Sequence, residues 1–425
     1  MARLLLFLAA LVGTYSSAAL AVETLAVAPD IYAPQATKAV DADAAAELLT
    51  QAKQAADAGR VSTALQLATQ ALEHDPDEPT CRHVLGYEHI DGQWLTAFQQ
   101  RQIRRGLVWD ARYGWLKSED LPRYEAGERR DGRRWFIATE DAKRHTTIAD
   151  GWQVRTDNFQ VTTNHSLEAA ASLAAELEQL FQVWRQLFAG YHLGDDEVRA
   201  RFAGTKSARV RAKPMNVIYH RDESGYVAAL RHKQPRIAET LGIYFDDLRE
   251  AHFYAAGDAT NNDSAFRATL YHEAVHQLFQ ESQRTKRGVG SKHNFWAVEG
   301  VATYFESLVL GDEGTFTIGG PNAGRLPSAR RQLAEGKLVP FGELASLGMA
   351  DLQRRADLPA VYSQMAGMAT YLMHTGDGQH REAFVRYLRD LYTGRAKSAS
   401  LWNELGESAE AVQLDYVRWL QRLPN

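Results

Sequence analysis

His272-Glu273-Ala274-Val275-His276 places two imidazoles four residues apart, with a carboxylate directly after the first. On a helix this spacing puts both rings on one face, where their nitrogens can reach a single ion without bending the backbone. A catalytic zinc needs a third protein ligand and one open position. Glu299, in Trp296-Ala297-Val298-Glu299-Gly300, is the candidate third ligand. Glu273 points toward the same cavity, where its carboxylate can take a proton from water activated by the ion. The plainer reading is an amphipathic helix whose histidines are satisfied by core hydrogen bonds. Two imidazoles and a carboxylate in a buried helix must still be desolvated, and an ion offsets that cost directly. One zinc per chain is therefore expected.

The flanks say which elements must hold these groups. Phe266, Leu270, Val275, Leu278 and Phe279 give the first helix an apolar lining, and Asp263-Ser264 can cap its start. A second helix is predicted from about Phe295 to Leu310, because Val298, Ala302, Phe305 and Leu308 recur at helical spacing before Gly311. Glu299 and Glu306 lie two turns apart on it and share a face. Glu306 is then either a solvated carboxylate or the acceptor that fixes the ring of a zinc-binding histidine. The polar linker Gln280 to Asn294, with Gly288 and Gly290, is long enough to fold the second helix back on the first.

H-E-x-x-H followed by a separate helix carrying E-G-x-A-x-Y-F-E resembles the gluzincin branch of the zinc metallopeptidases. The resemblance implies that His272, His276 and Glu299 bind zinc and that Glu273 is the general base. Residues Gly151 to about Leu391 also resemble a bacterial family of secreted, peptidase-like proteins of unassigned function. That likeness rests on Gly151-Trp152-Gln153-Val154, Gly242-Ile243-Tyr244, the two metal-site helices and Tyr362-Ser363-Gln364-Met365-Ala366. Gluzincins often stabilise the developing oxyanion with a tyrosine from a later helix, and Tyr362 occupies a comparable position by order and spacing. Packing is the other role open to it, and Tyr371, His374 and Tyr304 are reserves. His293 is a lesser candidate for the metal.

Upstream the pattern changes twice. Arg3, the apolar run Leu4 to Val12 and Ala19-Leu20-Ala21 have the form of a secretory signal peptide cut after Ala21. The run is too short for a membrane anchor, so an exported protein, periplasmic or extracellular, is expected. Residues 22–40 contain Pro29 and Pro34 without a sustained period and are read as a flexible segment. Ala44 to Ala58 and Ser62 to His74 then read as two amphipathic helices joined around Gly59, and their small residues resemble one tetratricopeptide unit. One such unit cannot bury its own face and must pack on Trp94 to Trp115 or on the catalytic part. It is a possible docking surface for a protein partner.

Residues 41–125 are accordingly assigned to this helical module and an irregular Trp/Arg-rich connector, 126–150 to a charged interdomain linker, and 151–425 to the zincin-like metallopeptidase domain. Within the last, Trp152 to Val161 alternates around Asp157-Asn158, a long helix spans Ser166 to Phe188, and Val217 to Tyr219 is a strand. Leu241 to Phe245 and His252 to Ala255 read as two strands joined by a charged turn, one of which could offer a sheet edge to an extended peptide. Residues 311–325 are glycine-rich, lack a following Gly-Lys-Ser/Thr, and are read as a loop over the cleft. The rest is helical. Strands first and helices later make the fold α+β.

Composition narrows the function. A net charge of −5 with pI near 6.3 argues against a nucleic-acid binder. The clusters Arg101/Arg104/Arg105, Arg129/Arg130/Arg133/Arg134 and Arg284/Lys286/Arg287 are taken as solvated faces and loops. Cys81 is the only cysteine and cannot form an internal disulfide. Two function classes remain: a secreted zinc peptidase acting on peptide or protein substrates, or a catalytically weak or inactive peptidase-fold protein serving as an extracytoplasmic binding module.

Overall fold

The structure, a computed structural model, describes residues 24–32, 39–205, 213–255, 264–311 and 314–424. The signal segment 1–21 and Asp263, the expected cap residue, lie outside the described residues. Among them no helix is long and apolar enough to cross a membrane.

Helices α1 (Ala42–Asp57) and α2 (Val61–His74) form an alanine-rich antiparallel pair. Ala52, Ala55, Ala64, Leu65, Ala68 and Leu72 are wholly buried between them, and the same cluster takes in Ala189, Leu193 and Val198 from the larger body. The pair therefore packs on the larger body and also on Trp94, so both places open to it contribute.

The Trp/Arg-rich connector and the charged linker are not irregular. Three antiparallel hairpins, Glu88–Ile90 with Gln93–Leu95, Leu107–Asp110 with Gly114–Lys117, and Glu128–Asp131 with Arg134–Ile137, are each followed by a short helix. Trp94, Trp115 and Trp135 occupy equivalent places in the second strands. Asp91-Gly92 and Gly132-Arg133 make two of the turns, and Gly92 and Gly132 take the positive φ that tight hairpins require. The strands are only three or four residues long, too short for alternation to register as a period. Arg129, expected on a solvated face, is only 9 % exposed. Its guanidinium pairs with Glu168 and lies over the Tyr113 ring.

The central sheet is mixed and five-stranded. β1 (Trp152–Arg155) and β2 (Phe159–Thr163) form the expected hairpin. α3 (Leu167–Leu187) follows, capped by Ser166, whose hydroxyl accepts from Ala169 N at 3.1 Å. β3 (Met215–His220), β4 (Gly242–Phe245) and β5 (Glu250–Tyr254) complete a sheet ordered β4-β5-β3-β2-β1. β3 runs parallel to both β2 and β5, whereas β4 is antiparallel to β5 and forms one edge. One face, with Phe159, Val161, Val217, Ala251 and Phe253, packs on α3 and on α4 (Ser264–Glu281). The other, with Ile243, Phe245 and Tyr254, is covered by Tyr226, Leu230 and Ile237.

α5 (Phe295–Phe305) ends before the expected Leu310. The Ser307 hydroxyl caps the Tyr304 carbonyl at 2.6 Å and accepts from Gly319 N at 2.9 Å, and the chain leaves as the strand Val309–Leu310. That strand pairs with Thr315–Thr317, which pairs in turn with Leu25–Ala26. Two expectations are corrected here. Residues 314–325 are not a free loop over the cleft, because Phe316 and Ile318 are core residues. Residues 25–28 of the segment read as flexible are likewise buried. α6 (Leu358–His374) and α7 (Arg381–Thr393) belong to the helical remainder, in which α6 lies against α5.

Candidate metal centre

α4 is buried along most of its length, and His272, Glu273 and His276 project from it into the interior. α5 crosses beside α4 and lies so close to α6 that a Cβ on Gly300 would stand 3.0 Å from the Met365 carbonyl. Glycine after Glu299 is thus what lets α5 sit against α6 with Glu299 aimed at the two imidazoles.

His272, His276 and Glu299 each present a donor atom within 4.8 Å of the others. Their exposures are 0 %, 6 % and 0 %. The two Nε2 atoms are 3.1 Å apart, and Glu299 oxygens lie 3.5 Å from His272 Nε2 and 3.8 Å from His276 Nε2. Neither Glu299 oxygen has a hydrogen-bond partner, nor does Glu273 Oε1, although all three are sealed from solvent. Buried orphan carboxylate oxygens facing two converging imidazoles are costly as a purely structural arrangement. The same set fits a divalent ion, and two imidazoles with one carboxylate suit zinc.

The electrostatics follow from burial and neighbours. Burial drives His276 down to about 4, which keeps that ring neutral, as a ligand must be. Burial opposes charge on His272 too, but Glu299, Glu306 and Glu273 outweigh it and raise the ring to about 10, so a bound ion would have to displace the proton on Nε2. Glu299 stays below the usual carboxylate value despite burial, because His272 and His276 favour its charged form. Burial lifts Glu273 to about 8, against the opposing influence of His272 and the Tyr244 N–H.

Each predicted site residue has a definite place. Glu273 Oε2 accepts from Tyr244 N of β4 at 2.9 Å, so the edge strand and the acid are in register. His272 Nδ1 donates to Glu306 Oε1 at 3.0 Å, leaving Nε2 directed at His276 and Glu299. Glu306 is therefore not a solvated carboxylate. Tyr362 stands one turn inside α6 rather than at its start, and burial with the adjacent Glu299 charge holds its phenol well above the ordinary value. The reserves have other partners: Tyr304 OH and His374 Nε2 are 2.8 Å from each other, Tyr371 OH is 3.4 Å from His380 Nε2, and His293 Nδ1 meets its neighbour Asn294.

Arg325 joins the centre from outside the motif helices. Its Nε and Nη2 donate to Glu306 at 2.6 and 3.0 Å, and its guanidinium lies 5.7 Å from the centre of the Tyr362 ring. The residue falls in a glycine-rich stretch with no helical spacing to the motif, so only the buried carboxylate in α5, which demands a cation, hinted at it.

The family described as "Protein of unknown function (DUF1570)" matches residues 267–396, a span that holds His272, Glu273, His276, Glu299, Arg325 and Tyr362. No curated protein matches the chain at a significant level.

Proposed function

We propose that this protein is a zinc-dependent peptidase of gluzincin type, acting outside the cytoplasm. The observation that supports this best is the convergence of His272, His276 and Glu299 beside Glu273, with three sealed carboxylate oxygens left without partners. An ion held by His272, His276 and Glu299 supplies Lewis acidity toward a peptide carbonyl and toward water. Glu273, beside that ligand set, would accept a proton from the attacking water and return it to the leaving amine. Tyr362 places a protonated phenol against Glu299, where it can donate to a developing oxyanion. β4 is an outer strand whose Tyr244 N–H meets Glu273, so an extended peptide paired along that edge would lie at the acid.

One observation favours the second reading, a binding protein on a peptidase-like frame. His272, Glu273 and Glu299 have no exposed surface, so the conformation described gives a substrate carbonyl no access. Elemental analysis of the purified protein followed by digestion of an unbiased peptide library separates the two. Stoichiometric zinc with cleavage that is lost in Glu273→Gln supports the peptidase. Stoichiometric zinc with an untouched library assigns the binding role instead.

A further inference from the structure

The sheet has a second edge, remote in strand order from the one beside Glu273. β1 is the last strand of the sheet, and it borders a cavity of about 500 Å³ whose other walls come mainly from the three hairpin–helix units. The hydrogen-bond phase of β1 follows from its turn. Thr156 N donates to Phe159 O at 2.9 Å, so the pairs Val154–Val161 and Trp152–Thr163 are the bonded ones. In an antiparallel ladder the residues between them, Gln153 and Arg155, turn their N–H and C=O groups away from β2. Both border the cavity.

The lining has a chemical bias. Four guanidinium groups, those of Arg105, Arg129, Arg130 and Arg155, face two carboxylates, Asp131 and Asp141. The carboxylates are already engaged: Asp131 pairs with Arg144, and Asp141 accepts from Trp152 Nε1 at 2.9 Å. Among the described residues Arg105 and Arg155 form no ion pair. Two buried donors in the lining, Trp115 Nε1 and Arg155 Nη1, have no acceptor at all. Unpartnered donors beside guanidinium groups call for a ligand that brings anionic acceptors. The rings of Trp115 and Tyr124 offer flat apolar walls next to them.

The geometry points to a recognition site for an extended, acidic peptide segment of another protein, bound along the outer edge of β1 with a carboxylate received by Arg155 and the Trp115 indole. The free strand edge bonds the segment's backbone, and the three hairpin units supply the wall that selects its charge. Nothing in this assignment depends on the metal centre, so it stands or falls apart from the peptidase reading.

The test is fluorescence anisotropy with the full chain and a labelled peptide of alternating Glu and Thr, against a Lys/Thr peptide of equal length. The acidic peptide should bind and the basic one should not, with affinity falling as salt rises. Arg155→Gln should weaken binding about tenfold or more, the usual loss for a charge-assisted hydrogen bond. Trp115→Phe keeps a ring and removes only the donor, and should weaken binding in the same direction. Gln153→Pro removes an outward N–H without breaking a bond to β2, and should also weaken binding while leaving thermal stability near that of the parent chain. Equal binding of the basic peptide, or acidic-peptide affinity unchanged in both Arg155→Gln and Gln153→Pro, would overturn the assignment.

Discussion

Arg325 grips Glu306 with two prongs, Nε to Oε2 at 2.6 Å and Nη2 to Oε1 at 3.0 Å, and the same Oε1 receives His272 Nδ1. The order of the relay is thus guanidinium, carboxylate, imidazole, with His272 Nε2 left for an ion. Such outer partners fix the tautomer and aim of a ligating ring. Arg325→Met should therefore lower zinc affinity by roughly 10- to 100-fold, as other losses of an outer partner do. Arg325→Lys, which keeps the charge but not the two-pronged grip, should fall between the two. Competition with a chromogenic chelator measures this, and an unchanged dissociation constant in Arg325→Met would refute the relay.

His276→Ala removes one of three donors and leaves a cavity where an imidazole stood. Zinc content per chain should drop sharply, read by elemental analysis after gel filtration. Full loading of that variant would remove His276 from the ligand set.

Glu273→Gln keeps volume and an oxygen for the Tyr244 N–H but cannot accept a proton. Peptide hydrolysis should fall by about 100-fold or more, with zinc content and melting temperature near those of the parent chain. Turnover at the parent rate in metal-loaded Glu273→Gln would place the base elsewhere.

Glu178 on α3 is buried at 2 % exposure. Burial, then the neighbouring Asp157, raises this carboxyl from 4.5 to about 8, against the hydrogen bonds it accepts from Asn158. The folded form therefore holds its proton more tightly than the unfolded chain. Its contribution to stability is complete below about pH 4.5 and is lost as pH rises through about 8. Denaturant melts should show stability declining across that window, by an amount on the order of a few kcal/mol. Glu178→Gln, which cannot ionise, should flatten the decline. A variant whose pH dependence matches the parent chain would show that Glu178 is not its source.

The chemistry-bearing residues were legible in the sequence because helical spacing alone brings His272 and His276 to one face, and because a buried Glu299 helix of marked apolar period had to pack nearby. The long helix α3 and the strands β1 to β5 were legible for the same reason, since local period and turn residues decide them. The hairpin units were written in Asp91-Gly92, Gly132-Arg133 and the recurring tryptophans, but strands of three or four residues carry too little alternation to declare themselves.

What only the tertiary structure decided are the relationships between groups far apart in the chain. Arg325 reaches Glu306 because residues 314–325 are pinned by pairing between Thr315–Thr317 and two other strands, one from near the start of the chain. Tyr244 meets Glu273 because β4 takes the sheet edge above α4. Local propensity fixes which face a side chain occupies on its own element. Which buried charge it then meets depends on how packed elements share one interior, where each unpaired carboxylate must find a cation, a proton or an ion.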